Sequence, residues 1–465
     1  MSKPGATPLA AKLYRLVLCV GVVALLAVNL PGHLSYDSVA QLHEGRLGVR
    51  ETWGPVMYAW LLGRADSVVP GASLYVVASA LVLLGAFLGL RTLRPRTSWL
   101  AVAAAAAVMA TPQLLIYQAI VWKDVLFANL ALAAFVCLAH AARRWGDWGF
   151  RLGALAAAML CVALGALVRQ NGAIVLPFAA VAIAWTARRD GWLKSLSWGG
   201  GWLVATALVM QLLAAAVALP GQDADPAINR GVRIVAHYDI IGAVAHRPGL
   251  PLARLHAADP KVEAAVRRAA RMSYSAERVD SLDRTPELSA IWLVPDAEIM
   301  GQWRDIVHHQ PGAYAAHRLD VFRWLVAAPV IDRCLPVHVG VGGAPDQVAD
   351  LGVAAVIEPQ DRQLSGYAAR LYPTPVYSHV SYILICLAVL AAMLLRRQPA
   401  DWMMAALMAS ALAFAASFLV ISIACDYRYL YFLDLAAMAG ALYVALDPPG
   451  WPRRRQAAQS PGQGL

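Results

Sequence analysis

Ten stretches of the chain are nearly continuous in Ala, Leu and Val: 14–30, 72–90, 99–117, 125–142, 152–168, 172–187, 198–219, 376–395, 402–424 and 429–446. A helix crosses a hydrocarbon core of about 30 Å with roughly 17–25 residues, so each run is a candidate span. The shortest, 172–187, leaves its start open by several residues. Backbone groups in lipid must bond within their own segment, which makes helix the only sensible choice. The pattern therefore predicts an all-α polytopic membrane protein with about ten transmembrane helices.

Two of the intervening segments are long. The first, 31–71, contains a stretch, Thr52–Val69, that is too interrupted by Gly, Arg and Asp to span. It reads as an amphipathic helix lying in the interface. The second, 220–375, carries 16 basic and 18 acidic residues, an ordinary water-soluble composition. Within it, Glu298–Val326 places apolar side chains at helical spacing around a break at Pro311-Gly312. Strand-like alternation is scarce, so this part is expected to be a mainly helical external domain. The expected organisation is then an N-terminal transmembrane module, 1–219, carrying the first external loop 31–71. The external domain 220–375 follows, then three C-terminal spans in 376–446 and a tail, 447–465. Rich in Pro, Gly and Gln, that tail is expected to be disordered.

Charge fixes an orientation. One set of alternate connections holds seventeen Lys and Arg, among them Arg91, Arg94, Arg96, Arg143, Arg144 and Arg453–Arg455, against four acids. The opposite short loops hold six: Arg46, Arg50, Arg64, Lys123, Arg169 and Arg428. Cations are retained on the cytoplasmic side, so both termini are expected there, in a bacterial inner membrane. The net charge of +10 is thus mainly a topology signal and implies no nucleic-acid partner. The first span ends in Pro31-Gly32-His33 rather than a small-residue cleavage site, and reads as an anchor that stays. The six Cys show no metal-ligand spacing. Cys334 and Cys425 both fall on the external side, where a disulfide can form.

Four compact polar groups interrupt the external loops. The first, Pro31–Gln41, ends span one. If it is helical, Asp37, Gln41 and Glu44 share a face, with His33 one turn earlier. A carboxylate there can act as a base, orient an acceptor or bind a divalent cation; it can equally be a helix N-cap. The second is Trp122-Lys123-Asp124, either a capping pair with an interfacial Trp or a phosphate-binding Lys beside a second acid. The third is Arg169-Gln170-Asn171-Gly172. An Arg so close to the apolar core needs an anionic partner, either a phosphate or a structural acid. The fourth is Cys425–Tyr431, where Asp426 and Arg428 can pair and three Tyr suit an interface or a sugar-stacking surface. Asp434, further into the same apolar run, is an intramembrane acid that demands a partner or a role. No Walker lysine loop, GxSxG elbow or HExxH is present. Charged groups of both signs near the water–lipid boundary suit an anionic lipid headgroup.

The order Pro-Gly-x-x-Ser-Tyr-Asp-Ser-x-x-Gln, Trp-Lys-Asp, Arg-Gln-Asn-Gly, Asp-Tyr-Arg-Tyr resembles the GT-C superfamily of integral-membrane glycosyltransferases, in its uncharacterised bacterial branches. The likeness covers roughly 14–187 and 402–446. It implies inverting transfer of a sugar from a polyprenyl-phosphate donor to a cell-envelope glycan, lipid or protein at the external face. It makes Asp37 the catalytic carboxylate, with Asp124 as a second acid. Lys123, Arg169 and Arg428 match the residues that hold the donor phosphate. Tyr36, Gln41, Glu44, Asn171 and Tyr427 are candidate acceptor or sugar contacts. Many members carry two adjacent acids in the first loop, whereas Asp37 stands between Tyr36 and Ser38. A divalent cation, Mg or Mn, on Asp37 and Asp124 therefore stays open. The rival reading from the residues is a transporter or flippase for a lipid-linked or anionic substrate; a third is an assembly protein whose external domain binds a partner.

Overall fold

A computed structural model describes residues 8–52, 54–218 and 225–448, without the side chains of 225–229; the tail expected to be disordered lies outside them, apart from its first residues. The described residues are helical throughout. In chain order the helices are α1 (Pro8–Asn29), α2 (Tyr36–Leu47), α3 (Val56–Asp66), α4 (Ser73–Thr92), α5 (Trp99–Ala110), α6 (Pro112–Leu115), α7 (Lys123–Arg143), α8 (Trp148–Val168), α9 (Val175–Ala187) and α10 (Trp192–Ala216). The external segment gives α11 (Asp225–His246), α12 (Ala253–Ala258), α13 (Pro260–Met272), α14 (Asp296–His309), α15 (Pro311–Ala327), α16 (Pro345–Leu351) and α17 (Pro359–Ala369). The chain then returns through α18 (His379–Arg396), α19 (Pro399–Ile421) and α20 (Tyr431–Leu446).

Nine described helices are long and apolar enough to span, and α5 with the segment from Pro112 makes a tenth bent by 65°. The bend falls where Pro112 removes a backbone donor, so the span expected over 99–117 is broken there. Two helices form the axis of the bundle. Windows of α7 and of the span ending in α20 are 83% buried, against 17% for α10, which therefore faces lipid. Phe127, Phe414 and Phe432 pack ring on ring where α7, α19 and α20 meet.

The helix ends are chemically marked. Asp147 caps α8 by accepting from Phe150 N, Ser98 caps α5 by accepting from Ala101 N, and Gln398 with Asp401 closes a capping box on α19 behind Pro399. Asp401 is also the hub of an ion cluster that fastens four helix ends. Arg396 grips it at 2.6 and 2.9 Å, Tyr443 donates at 2.8 Å, and buried Arg94 lies 3.6 Å away while bonding Asp447 at 2.7 Å. Removing one partner of a buried pair costs about 3–5 kcal/mol because it strands the other charge. Asp401→Ala is therefore expected to lower thermal stability in detergent sharply, with Asp447→Ala, 23% exposed, losing less; a differential melting experiment reads both.

The external segment does not behave as one unit. Residues 236–321 build a core of their own around Tyr238, Ile241, Val266, Ile299 and Ile306, while Val348, Leu351, Leu364 and Ala368 join the core of the membrane helices. Three ties fasten the first part to the loop after α19. Buried Asp239 holds Arg318 at 2.6 Å, and Arg318 donates to Ser422 O at 2.8 Å. Val279 N donates to Ile423 O, and Cys425 N to Glu277 O, both at 2.8 Å. Cys334 and Cys425 form the disulfide.

Candidate functional site

The loop after α1 is held by backbone pairing before any charge is considered. Cys425 and Asp37 lie far apart in sequence, so something must hold them in register. His33 N donates to Ala119 O at 2.9 Å and Val121 N to His33 O at 3.0 Å, and on the other side Leu34 and Gly340–Gly342 exchange two bonds of 2.9 Å. Residues 33–34 are thus laced between the approach to α7 and the external segment. Gly340 sits at φ +75°, and a Cβ there would lie 2.6 Å from Val356 O, so glycine is required for the lacing.

His33 is the buried pin of this junction. Its Nδ1 accepts from Gly340 N at 3.1 Å, which leaves the proton on Nε2 to donate to Asn29 Oδ1 at 2.9 Å. Burial pushes its pKa down to about 4, against an upward pull from Asp361. A histidine kept neutral by the fold binds its proton more readily when unfolded. Its contribution is fully present above about pH 6.5 and is lost as pH falls toward about 4, by at most about 3 kcal/mol. Unfolding measured across that window should show wild-type stability falling more steeply with acid than that of His33→Gln.

From Ser35 the chain turns into α2, which confirms the helix on which Asp37, Gln41 and Glu44 share a face. The three do not share a task. Asp37, in the first turn where the helix dipole favours a carboxylate, is half exposed and accepts from Arg428 at 2.7 Å. Burial raises its pKa, but Arg428 and Lys123 together outweigh that and hold the carboxyl below its ordinary value. Glu44 turns inward, accepts from Glu51 N at 2.7 Å and from Thr52 N, and so closes the turn between α2 and α3. Gln41 is buried against Gly54. Neither is presented to water, so the acceptor contacts expected at Gln41 and Glu44 are not where the structure puts them. The helix expected across 52–69 is α3. It crosses α2 at Gly45 and Gly63, where a Cβ on either would sit 2.0 Å from a backbone oxygen, and Arg46 clamps Asp66 across the crossing at 2.7 and 2.8 Å.

Arg428 enters from the other end of the sequence, on the short turn Tyr427–Leu430. Its guanidinium lies 5.0 Å over the Trp122 ring and 3.3 Å from Asp426, which Arg278 of the external segment approaches to 3.9 Å. Trp122 itself is fixed by donating from Nε1 to Ser35 Oγ at 2.9 Å. Lys123, the first residue of α7, is partly exposed and acts electrostatically on both Asp37 and Arg428. Two carboxylates, Asp37 and Asp426, thus meet Arg428 at the rim of the bundle, with Lys123 acting on Asp37 from a third part of the chain.

The expected partners Asp124 and Arg169 lie deeper, with Arg169 within electrostatic reach of Lys123 and Arg428. Both are at least 95% buried and they pair with each other. Arg169 Nε donates to Asn171 Oδ1 at 3.2 Å, and Asn171 reaches Ser417 at 3.3 Å. The guanidinium lies 5.4–5.8 Å from the rings of Phe414, Phe418 and Tyr429. A buried Arg is stable only beside an anion, and Asp124 supplies it. The structure thus pairs Asp124 with Arg169 and does not bring Asp124 into contact with Asp37. Tyr427 is buried too. It is 1% exposed, its ring stacks on His379 at 4.1 Å, and Gln113 donates to its hydroxyl at 2.8 Å, so it fills the bundle instead of facing a sugar. Asp434 finds its partner in His379 at 2.8 Å. Tyr36 is 64% exposed and remains beside Asp37.

The donor set does not suit a metal between Asp37 and Asp124, since each carboxylate faces a guanidinium. Among the described residues no group of three or more His, Cys, Asp and Glu is arranged to hold one. Sequence reasoning missed the external contribution from Arg278, Glu277 and His33's partner Gly340. The signal available was Cys334 with Cys425, which ties that segment to the loop carrying Asp426.

Fold and site together define a polytopic all-α membrane protein with a half-exposed carboxylate bounded by cations at one end of the bundle. No family model and no curated protein matches the chain. Solved structures do. The oligosaccharyltransferase of Archaeoglobus fulgidus in complex with zinc and sulfate is similar over 92% of this chain and 48% of its own, at 13% identity and a TM-score of 0.41. The same organism's AglB, bound to an inhibitory peptide and a dolichol-phosphate, covers 93% and 50%, at 14% identity and 0.39. ArnT from Cupriavidus metallidurans in the apo state covers 92% and 77%, at 14% and 0.35. The chain spans about half the length of the two archaeal proteins.

Proposed function

We propose that this protein is an inverting glycosyltransferase that moves a sugar from a polyprenyl-phosphate donor to a cell-envelope acceptor at the external face of a bacterial inner membrane. The observation that carries the reading is the Asp37–Arg428 contact of 2.7 Å beside Lys123 at the bundle rim. Asp37 takes the proton of the acceptor hydroxyl as its oxygen attacks the anomeric carbon from the side opposite the phosphate. The new glycosidic bond forms, and the bond from that carbon to the phosphate oxygen breaks. The departing polyprenyl phosphate keeps the electron pair, and its growing charge is met by Arg428 and Lys123. A donor phosphate also competes with Asp37 for Arg428, so donor binding frees the carboxylate for proton transfer. Tyr36 offers an exposed ring to the acceptor. Asp124 and Arg169 support the floor beneath.

The test is direct. Purified protein, a polyprenyl-phosphate donor with a labelled sugar, and a cell-envelope extract should yield labelled acceptor and free polyprenyl phosphate in equal amounts. Movement of intact donor across a proteoliposome bilayer with no covalent product would overturn this reading in favour of transport.

A further inference from the structure

At the bundle end away from Asp37, α8 and α10 part to leave an apolar groove of about 450 Å³, lined by Leu152, Leu155, Met159, Trp198, Gly201 and Trp202. It opens on the lipid-facing side of the bundle, since α10 is the least buried span. Beside the lining residue Trp198 stands Arg151, in the first turn of α8. Three indoles surround the guanidinium: Trp145 at 4.7 Å, Trp148 at 4.8 Å and Trp198 at 4.5 Å.

Arg151 is 92% buried, yet among the described residues its only hydrogen-bond acceptor is Trp145 O at 2.7 Å, and its Nε has none. Among the described residues no carboxylate lies within ion-pair distance. The two nearby in sequence and fold are committed, Asp147 to Phe150 N and Asp190 to Trp145 Nε1. Lys194, exposed one turn before Ser197 on α10, adds a second cation on the same side. A guanidinium in a membrane edge costs free energy unless an anion compensates it, and indoles mark the headgroup level of a bilayer.

We infer that this corner is a binding site for an anionic glycerophospholipid, its phosphate on Arg151 and Lys194 and one acyl chain in the groove between α8 and α10. The indoles hold the guanidinium in place, so the headgroup meets a preset cation. The groove's apolar walls suit a hydrocarbon chain. The inference rests on the chain spanning a membrane and is independent of the reaction proposed above.

The test uses the full chain in nanodiscs of mixed phosphatidylglycerol and phosphatidylcholine, followed by mass measurement of the lipids retained on release. Wild type should keep one phosphatidylglycerol in several-fold preference over phosphatidylcholine. Arg151→Gln should erase that preference. Gly201→Leu supplies a second arm, because Gly201 lines the groove and a Cβ there meets nothing within 4 Å, so the added side chain enters the groove. It should abolish retention of either lipid while the melting temperature stays at the wild-type value. Equal retention of the two lipids by wild type, or retention by Gly201→Leu equal to wild type, would overturn the inference. Retention of a polyprenyl phosphate in place of phospholipid would also overturn it.

Discussion

Asp37→Asn should lower sugar transfer by about 10³-fold or more while the protein still folds, since a positioned general base typically contributes 10²–10⁴. The side chain is half exposed and buries nothing that the amide cannot replace in volume, so melting temperature should hardly move. Donor binding should survive or tighten, because Arg428 loses its competing carboxylate. The outcome is read as kcat falling with the donor KM unchanged or lower. The acid limb of the pH profile carries a second signature. Cations hold the Asp37 carboxyl low, so activity should persist to pH values below the ordinary carboxylate range and fall only as that group protonates. Arg428→Gln removes the larger of the two cationic influences and should move the limb to higher pH. An acid limb that stays in place would sever Asp37 from Arg428.

The second large effect concerns stability. Arg169→Ala strands Asp124 in a site at least 95% buried and should cost about 3–5 kcal/mol. Replacing both partners, Asp124→Leu with Arg169→Met, should recover most of that loss, because an apolar pair of similar volume needs no counter-ion. Recovery would also assign the pair to the scaffold. If Arg169 instead contacted the donor phosphate, the double variant would regain stability and stay inactive, whereas a scaffold role lets activity return with folding. Thermal melting and transfer rates on the same preparations separate the two.

These contrasts track what the chain makes legible. The spans were readable because lipid demands long apolar helices, and the 65° bend in the third was not, because Pro112 acts on one backbone donor within an otherwise apolar run. Helical spacing placed Asp37, Gln41 and Glu44 on one helix. It could not say that Glu44 turns inward to close the chain at Thr52, since that depends on where the next turn folds back. The pairing of Asp124 with Arg169 stood as one of two alternatives at the Arg-Gln-Asn-Gly motif, and only tertiary packing decides it. Asp37 and Arg428 are separated by 391 residues, and their contact follows from the lacing of 33–34 and the ties on 423–425, which no local pattern encodes. The Cys334–Cys425 bond was the one long-range contact with a visible chemical signal.

The central claim is that Asp37 and Arg428 work as one site. A kinetic double-mutant cycle tests it most directly, with transfer measured for wild type, Asp37→Asn, Arg428→Gln and the double variant. If the two act together, the double variant should be no slower than the slower single variant. Losses that multiply, so that the double variant falls by the product of the two single effects, would contradict it.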